Sequence, residues 1–354
     1  MATPKNRAEF RDELAKEFIN VLEEKGLEWR KEWSMHDTPL NAVTGNHYRG
    51  INLFRLSLLA AVKGYDDPRW VTMVQIMDKD GKYHAGQHWH LKKGSKATFV
   101  EYWFPVDLRN KQRKPISWKQ YREAIDNGAK AEEFGLQARY TGVFNATCIE
   151  GIPPYEPELN AEISADELIN KLSDNMGVPI IFGGDSAYYS PIQDNVHLPM
   201  PEQFTSEYAF NATALHELAH STGHKNRLDR NQNGVFGSPE YAYEELVAEM
   251  CSAFVGFNLH TEPTEDHINN HKAYIQSWVQ AIKDDPNILI KAVKDAQEAA
   301  SYMDFNAELI SEKEYTEVKE SVITVSAPDQ IKDYDLAERI KKERADLARG
   351  KDDT

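Results

Sequence analysis

Five consecutive residues, His216-Glu217-Leu218-Ala219-His220, combine two imidazoles and a carboxylate at a spacing that suits metal chemistry. In a helix, residues four apart lie one above the other on the same face, so His216 and His220 can reach one zinc ion. Glu217 projects beside that face, where its carboxylate can act as a general base on a water molecule in the open coordination position. The pentapeptide therefore predicts a zinc site with hydrolytic chemistry.

Two acidic residues, Glu245 and Glu249, follow on a second predicted helix and lie four residues apart. They share one face of that helix, where two carboxylates repel each other unless a cation or an imidazole N–H lies between them. Because a catalytic zinc site uses three protein ligands, we predict Glu245 as the third ligand. Glu249 is predicted to accept a hydrogen bond from the far N–H of a zinc-bound histidine.

Other assignments for the site remain open. His224 is a rival third ligand, but Gly223 is expected to end the helix before it, and the pattern with three histidines has His where this chain has Asn226. A position near the site, or at the C-terminus of the helix, suits His224 better. For the acidic residues the alternative is a solvated face, chiefly at Glu244.

The second half of the chain is predicted to be mainly helical with a small β-sheet, because apolar residues recur at helical spacing. The predicted elements are helices over 165–176, 205–223, 238–257, 264–283 and 286–303, and short strands over 178–182 and 188–198. A strand from Asn195 to Leu198, just before the zinc helix, is expected to align an extended substrate by edge pairing. Tyr241 or Tyr243 is a candidate for stabilising an oxyanion, with a place in the core as the alternative.

The first half has a different pattern, which predicts an α+β domain. The predicted elements are helices over 7–25 and 51–62, a strand over 98–103, a charged helical insertion over 118–135 and a closing strand over 139–148. Three prolines between Glu150 and Glu158 then predict a linker. The whole chain is therefore expected to be α+β, with a mainly helical second domain.

The length of the chain suggests two domains, and its charge and tryptophan content differ between the two halves. The 354 residues suit two domains rather than one. The formal net charge is −16, yet residues 1–150 carry +4 and residues 151–354 carry −20. Six of the seven tryptophans also lie in the first half. The predicted organisation is a first domain over 1–150, a linker over 151–162, a second domain over 163–304 and a charged tail over 305–354.

Composition excludes several classes of protein. Hydrophobic residues make up 41%, which is enough for packed cores and excludes general disorder. No run of about 18 apolar residues occurs, so no membrane span is expected, and the polar start of the chain predicts no secretory signal. The two cysteines, Cys148 and Cys251, are too few for a disulfide scaffold or a Cys-rich zinc site, and they fit a reducing cytoplasm.

The first half also has residue types that suit single-stranded DNA, whose bases stack on aromatic rings beside a cationic groove. Trp29 and Trp33 flank Arg30 and Lys31, and a turn-rich segment that could clamp phosphates follows. The predicted DNA-binding residues are Trp29, Trp33, Asn41, Tyr48, Arg49, Asn52, Arg69 and Trp70. A net charge of only +4 predicts modest affinity that weakens as salt rises.

Taken together, the chain resembles the ArdC-type antirestriction proteins of conjugative plasmids and phages. The stretch from Trp29 to Asn52, continued to Trp70, is similar to that family's N-terminal single-stranded-DNA-binding domain. The helix from His216 to His224 and the segment from Glu244 to Glu249 are similar to its C-terminal zincin-type metallopeptidase domain. The resemblance implies that the protein protects DNA entering a cell from host restriction enzymes, and the tail after about residue 305 lies outside it.

Three functions fit these expectations. The first is an antirestriction protein that binds single-stranded DNA and has an active or vestigial zinc metallopeptidase of the gluzincin type. The second is a cytoplasmic zinc metalloprotease whose first domain recruits protein substrates. The third is a binding protein with structural zinc, which Glu217 disfavours because a structural site needs no general base and normally has four protein ligands. We favour the first.

Overall fold

The structure is a computed structural model of the chain. It describes residues 4, 6–25, 38–79, 81–84, 87–109, 113–156, 164–235, 238–256, 272–316 and 318. Trp29 and Trp33, two of the predicted DNA-binding residues, lie outside the described residues. In the described part, no helix is long and apolar enough to cross a membrane.

Helices and strands both occur along the chain, so the predicted α+β class is confirmed. The helices of the described residues are α1 (Arg7–Lys25), α2 (Gly50–Lys63), α3 (Met73–Met77), α4 (Trp118–Asp126), α5 (Ala165–Met176), α6 (Glu207–Ser221), α7 (Pro239–Gly256), α8 (Lys272–Asp284) and α9 (Asn287–Asn306). The strands are β1 (Leu40–Asn41), β2 (Arg69–Thr72), β3 (His90–Leu91), β4 (Thr98–Asp107), β5 (Lys114–Pro115), β6 (Phe134–Asn145), β7 (Ile149–Glu150), β8 (Ile180–Phe182), β9 (Tyr188–Ser190) and β10 (Asn195–Leu198).

The helical insertion predicted over 118–135 is shorter in the structure. Ser117 begins α4 with a reciprocal capping box to Gln120, and the helix ends at Asp126. Gly128 follows with a φ of 91°, a left-handed conformation that stops the helix and favours glycine. The chain then enters β6 at Phe134, five residues before the predicted strand.

The sheet of the first half has the strand order β1-β2-β6-β4-β5. Its centre is the long antiparallel pair β4 and β6, in register from Thr98 opposite Val143 to Asp107 opposite Phe134. Alternate residues therefore point to opposite faces. One face packs against α1, where the rings of Phe10 and Tyr140 are 5.1 Å apart.

Helix α1 belongs to a core that both halves share. Its buried apolar residues lie in the same hydrophobic cluster as those of α2 and of the helices α6 to α9. Polar contacts reinforce this packing, since Lys283 of α8 lies 2.6 Å from Glu23, and the N–H of Gly50 donates to Gln297 of α9 at 2.9 Å. A fragment that ends at residue 150 would therefore expose apolar surface that the second half covers. The domain boundary at this position remains a prediction.

A second, three-stranded sheet lies beside the helices of the second half, in the order β8-β10-β9. Strand β10 pairs in parallel with β8 and antiparallel with β9. Both of its sides are occupied, so the prediction that residues Asn195–Leu198 offer a free edge to a substrate is wrong. Among the described strands of this sheet, β8 and β9 are the two edge strands, on opposite sides of β10.

Candidate metal centre

Two packed helices, α6 and α7, position the predicted metal ligands. Helix α6 begins where the side chain of Ser206 accepts a hydrogen bond from the N–H of Ala209 at 3.0 Å. Its histidine face is turned inward, so His216 is only 5% exposed and Glu217 only 8% exposed. Helix α7 packs against it and contributes three buried carboxylates. Buried carboxylates are costly unless cations or hydrogen-bond donors compensate them.

The side chains of His216, His220 and Glu245 meet at one point, with their donor atoms within 4.8 Å of one another. The two histidine Nε2 atoms are 3.1 Å apart, and they lie 3.5 and 3.6 Å from the Oε2 and Oε1 atoms of Glu245, respectively. Ligand atoms about 2.0–2.1 Å from a tetrahedral zinc ion are about 3.3 Å from each other. The three side chains therefore have the spacing that one zinc-sized ion requires.

The charge around this point also suits a cation. Glu217, Glu244, Glu245 and Glu249 are all buried around the two imidazoles, and among the described residues the guanidinium of Arg230 is the fixed positive charge that pairs with them. Four buried carboxylates near one fixed positive charge leave an excess of negative charge. A divalent cation would offset it.

The electrostatics of the ligands point the same way. Burial alone would raise the pKa of Glu245, but its hydrogen bond with His216 and the charges of both histidines lower that pKa to about 2. Burial likewise opposes a charge on His216, yet Glu245, Glu249 and Glu217 raise the pKa of its imidazole. The carboxylates thus favour a positive charge at this ring, which a proton or a metal ion can supply.

The far nitrogen of His216 faces a carboxylate. Its Nδ1 lies 3.3 Å from Oε2 of Glu249, which is fully buried. The sequence predicted such a contact, in which Glu249 accepts a hydrogen bond from the far N–H of a metal-bound histidine. A carboxylate in this place fixes the orientation of the ring and leaves Nε2 for a metal ion.

His220 has a corresponding partner that sequence reasoning did not assign. Its Nδ1 lies 3.3 Å from Oε1 of Glu244. Arg230 donates to the same carboxylate at 2.7 and 3.1 Å, and Gln232 donates both to it at 3.3 Å and to the carbonyl oxygen of His220 at 2.6 Å. The loop after α6 therefore folds back and holds the second histidine. Helical spacing contains no signal for this, because Arg230 and Gln232 lie in the loop.

Changing Glu244 to glutamine is expected to weaken metal binding about 10-fold or more, within the 10- to 100-fold range usual for such outer partners. The amide removes the negative charge that favours His220 as a ligand and leaves Arg230 without its counter-ion. Competition titration against a chromophoric chelator measures the affinity. Glu240→Gln is the matched control, since Glu240 is an exposed acid of the same helix. Equal affinities of Glu244→Gln and wild type would disprove the role of Glu244.

A cleft of about 480 Å³ opens onto the metal centre, with His216, Glu217, His220 and Glu245 in its lining. One wall comes from β9 and the turn that follows it, and the other from the start of α7 and the loop before it. The wall residues include Tyr188, Tyr189, Pro191, Gly234, Glu240 and Tyr241. Glu217 therefore faces an open cleft that solvent can enter.

The two candidate tyrosines differ in position. Tyr241 lines the cleft, and its hydrogen bond with Glu245 helps to lower the pKa of that carboxyl. The hydroxyl of Tyr243 instead donates to Asp295 at 2.7 Å. An oxyanion role is therefore compatible with Tyr241 and not with Tyr243.

His224 lies outside the ligand cluster. Helix α6 ends at Ser221, and the Nδ1 of His224 lies 3.6 Å from Asp194. Asp194 also pairs with Arg227 and accepts a hydrogen bond from the hydroxyl of Tyr189 at 2.8 Å. This group of side chains ties the β9–β10 turn to the loop after α6, so it supports one wall of the cleft.

Three of the predicted DNA-binding residues have structural partners. Trp70 is 1% exposed in a cluster with Val100 and Val143, so a base cannot stack on it, contrary to the prediction. The amide of Asn52 bonds the main-chain N–H and carbonyl of Glu101 at 2.8 and 2.7 Å, respectively. Arg69 donates to Asp67 at 2.7 Å and to the carbonyl of Pro153 at 2.7 Å.

In the turn-rich segment, Asn41 also has structural partners. The carboxamide oxygen of Asn41 accepts from the N–H of Thr44 at 3.0 Å, and the Asn41 amide also pairs with Gln75. Tyr48 is half-buried, and burial raises the pKa of its hydroxyl despite a hydrogen bond with Asn41. Arg49 is half-buried directly before α2. These residues shape the turn, and a direct role in DNA binding remains a prediction for them.

Family profiles match both halves of the chain. The profile of the N-terminal domain of anti-restriction factor ArdC matches residues 8–144. The profile of a zincin-like metallopeptidase matches residues 167–295, which include the whole ligand cluster.

Individual relatives extend the match over most of the chain. A DNA primase TraC of Escherichia coli is 33% identical over 306 residues, which are 83% of this chain and 20% of the primase. A second TraC primase of Escherichia coli is matched over 27% of its length. The chain thus spans about a fifth to a quarter of these primases. The uncharacterized protein y4eC of Sinorhizobium fredii is 31% identical over 314 residues, which are 85% of this chain and 93% of y4eC.

Two solved structures have the same fold over most of the chain. Both are of the antirestriction ArdC protein from plasmid R388, one metal-free and one with Mn(II) bound. Their TM-scores are 0.65 and 0.63, at 30% identity over 85% of this chain and 99% of the ArdC chain.

Proposed function

The chain belongs to the ArdC family of antirestriction proteins, and from this we propose that it binds single-stranded DNA entering a cell and protects it from host restriction. We further propose that its second half is a zinc metallopeptidase. The observation that carries the peptidase proposal is the meeting of His216, His220 and Glu245 at one point, with Glu217 beside them in an open cleft.

Zinc is the metal we assign to this site. Two imidazole nitrogens and one carboxylate oxygen form the ligand set of several zinc peptidases, and the spacing of the atoms suits a tetrahedral ion. The related ArdC protein has been solved with Mn(II) bound, so a member of this family binds a divalent cation. Imidazole suits zinc, while manganese prefers oxygen ligands.

The proposed reaction is hydrolysis of a peptide bond. When bound, the metal supplies Lewis-acid polarisation of the substrate carbonyl and of a water molecule. Glu217 takes a proton from that water and delivers it to the leaving amine. Glu249 and Glu244 hold the far nitrogens of His216 and His220, which keeps both rings in their binding orientation.

An extended polypeptide is the substrate that fits the cleft. Strand β9 lies at a sheet edge and lines the cleft through Tyr188 and Tyr189. A substrate strand that adds to β9 would run past Glu217. The hydroxyl of Tyr241, in the opposite wall, is proposed to stabilise the oxyanion.

The DNA-binding role is assigned to the first half. Residues 1–150 carry a net charge of +4, while residues 151–354 at −20 repel a phosphate backbone. We place the protein in the cytoplasm of the cell that receives the DNA, where restriction takes place.

DNA transfer into a restricting host tests the proposed function. Wild-type protein is expected to raise the yield of transferred unmodified DNA above that of an empty vector, and to change nothing in a host without restriction. If Glu217→Gln protects as well as wild type, DNA binding alone accounts for protection. No protection by wild-type protein would contradict the proposal and favour a metalloprotease whose first half recruits protein substrates.

A further inference from the structure

One face of the β4–β6 pair displays aromatic rings to solvent. Tyr102 is 59% exposed, and Phe104, two residues further along β4 on the same face, is half-buried. Their rings are stacked, with centroids 6.5 Å apart and planes inclined by 22°. Leu108 continues this row and is 42% exposed. Eight of the ten residues of β4 are buried, so an exposed tyrosine beside a second ring is unusual in this strand.

The adjacent strand adds a cation to the same face. Arg139 of β6 is directly opposite Tyr102, and Gln137 is opposite Phe104. Both are exposed, and the guanidinium carbon of Arg139 lies 5.4 Å from the centroid of the Phe104 ring. In this position Arg139 lies over the Phe104 ring and holds a positive charge at this aromatic pair.

Further positive charge lies at the edge of the sheet. Arg113 and Lys114 are exposed where the chain enters β5, the strand next to β4. The opposite face of the sheet carries no such platform in the described residues, because α1 packs on it through Phe10 and Arg7. The two rings and Arg139 thus lie together on the face of the β4–β6 pair that α1 leaves uncovered, with Arg113 and Lys114 at the sheet edge beside it.

We propose that this face, defined by Tyr102, Phe104, Gln137 and Arg139, is the surface on which the protein binds single-stranded DNA. The inference rests on the DNA-binding function proposed above and names its site. Unpaired bases stack on exposed aromatic rings of a sheet, while cations hold the backbone. Bases inside a duplex are already stacked on one another, so this surface discriminates against double-stranded DNA.

Fluorescence anisotropy of a labelled single-stranded oligonucleotide with the full-length chain tests the proposal. Tyr102→Ala and Phe104→Ala are each expected to weaken binding about 5-fold or more, which is the range for loss of one stacked base. Tyr102→Phe keeps the ring and is expected to bind like wild type. Arg139→Gln is expected to reduce the slope of log affinity against log salt concentration by about one, as for the loss of one phosphate contact. Wild-type protein is expected to bind the matching duplex more weakly.

Matched controls lie elsewhere on the surface. Phe182 is a 47% exposed aromatic of the second half, and Lys119 is a cation with an 83% exposed side chain on α4. Phe182→Ala and Lys119→Gln are expected to leave affinity unchanged. If wild type binds and the Tyr102, Phe104 and Arg139 variants bind equally well, this surface is wrong while the proposed function stands. Failure of wild type to bind any single strand would overturn both.

Photocrosslinking of the wild-type chain makes the test independent of the folding of variants. An oligonucleotide that contains 5-iododeoxyuridine is expected to crosslink to peptides from β4 or β6. Crosslinks confined to other segments would exclude this face as the binding surface.

Discussion

Glutamine in place of Glu217 should leave the metal content unchanged and reduce peptide cleavage by roughly 10²- to 10⁴-fold, the usual contribution of a general base. Glu217 is 8% exposed and lies in the cleft lining beside both histidines. Glutamine has almost the same shape but cannot take a proton from water. Cleavage of unfolded protein substrates, with metal content determined in parallel, measures both effects.

The control for this experiment is Glu240→Gln, because Glu240 is an exposed acid that lines the same cleft. We expect it to retain cleavage. Cleavage by Glu217→Gln at the wild-type rate would remove Glu217 from the reaction, and loss of metal from that variant would mean that the carboxylate is a ligand instead.

The second large effect is expected for His216→Ala, which should lose the metal and a substantial part of its stability. The change removes a ligand and leaves Glu245 and Glu249 buried without their shared imidazole. Loss of one partner of a buried charged pair typically costs about 3–5 kcal/mol. Because the ligands join α6 and α7, metal binding should also stabilise the wild-type fold. Thermal unfolding with and without a chelator measures this.

His224→Ala is the matched control, since His224 lies against Asp194 outside the ligand cluster. It is expected to bind one metal ion per chain and to lose stability on chelation as wild type does. In His216→Ala, a chelator should have no effect on the melting temperature. Full metal content in His216→Ala, or its loss in His224→Ala, would reverse the assignment of the ligands.

Much of the metal centre could be predicted from local spacing. The positions of His216, His220, Glu245 and Glu249 follow from helical periodicity, because each pair is four residues apart on one helix. The packing of these two helix faces against each other can be predicted as well, because carboxylates on an apolar helix need a cation or an N–H donor as a partner. Glu244 and its Arg230 contact could not be predicted this way, because the loop conformation that brings Arg230 back is not periodic.

In the first half, too, the contacts of the candidate residues depend on segments far apart in the chain. Aromatic and cationic residue types favoured DNA contacts at Trp70 and Arg69, but type alone does not reveal burial. Trp70 is enclosed by the sheet and α2, and Arg69 is held by Asp67. Tyr102 lies in the strand predicted over 98–103, which extends to Asp107 in the structure, yet its exposure depends on which face α1 covers. Such packing between distant segments has no local signal.

The same limit applies to domain organisation. The proline-rich segment and the change in charge near residue 150 indicate two domains. They contain no information that α1 packs against α8 and α9, which places Phe10 and Trp278 in one hydrophobic cluster. For this reason the DNA-binding and metal-binding experiments use the full-length chain.

The most direct test of the metal centre is diffraction from crystals of the zinc-loaded protein, measured at the zinc absorption edge. We expect one anomalous peak per chain, about 2.0–2.2 Å from the Nε2 atoms of His216 and His220 and from a carboxylate oxygen of Glu245, with Glu217 close by but not coordinated. A peak bound by His224, or no peak between α6 and α7, would contradict the account.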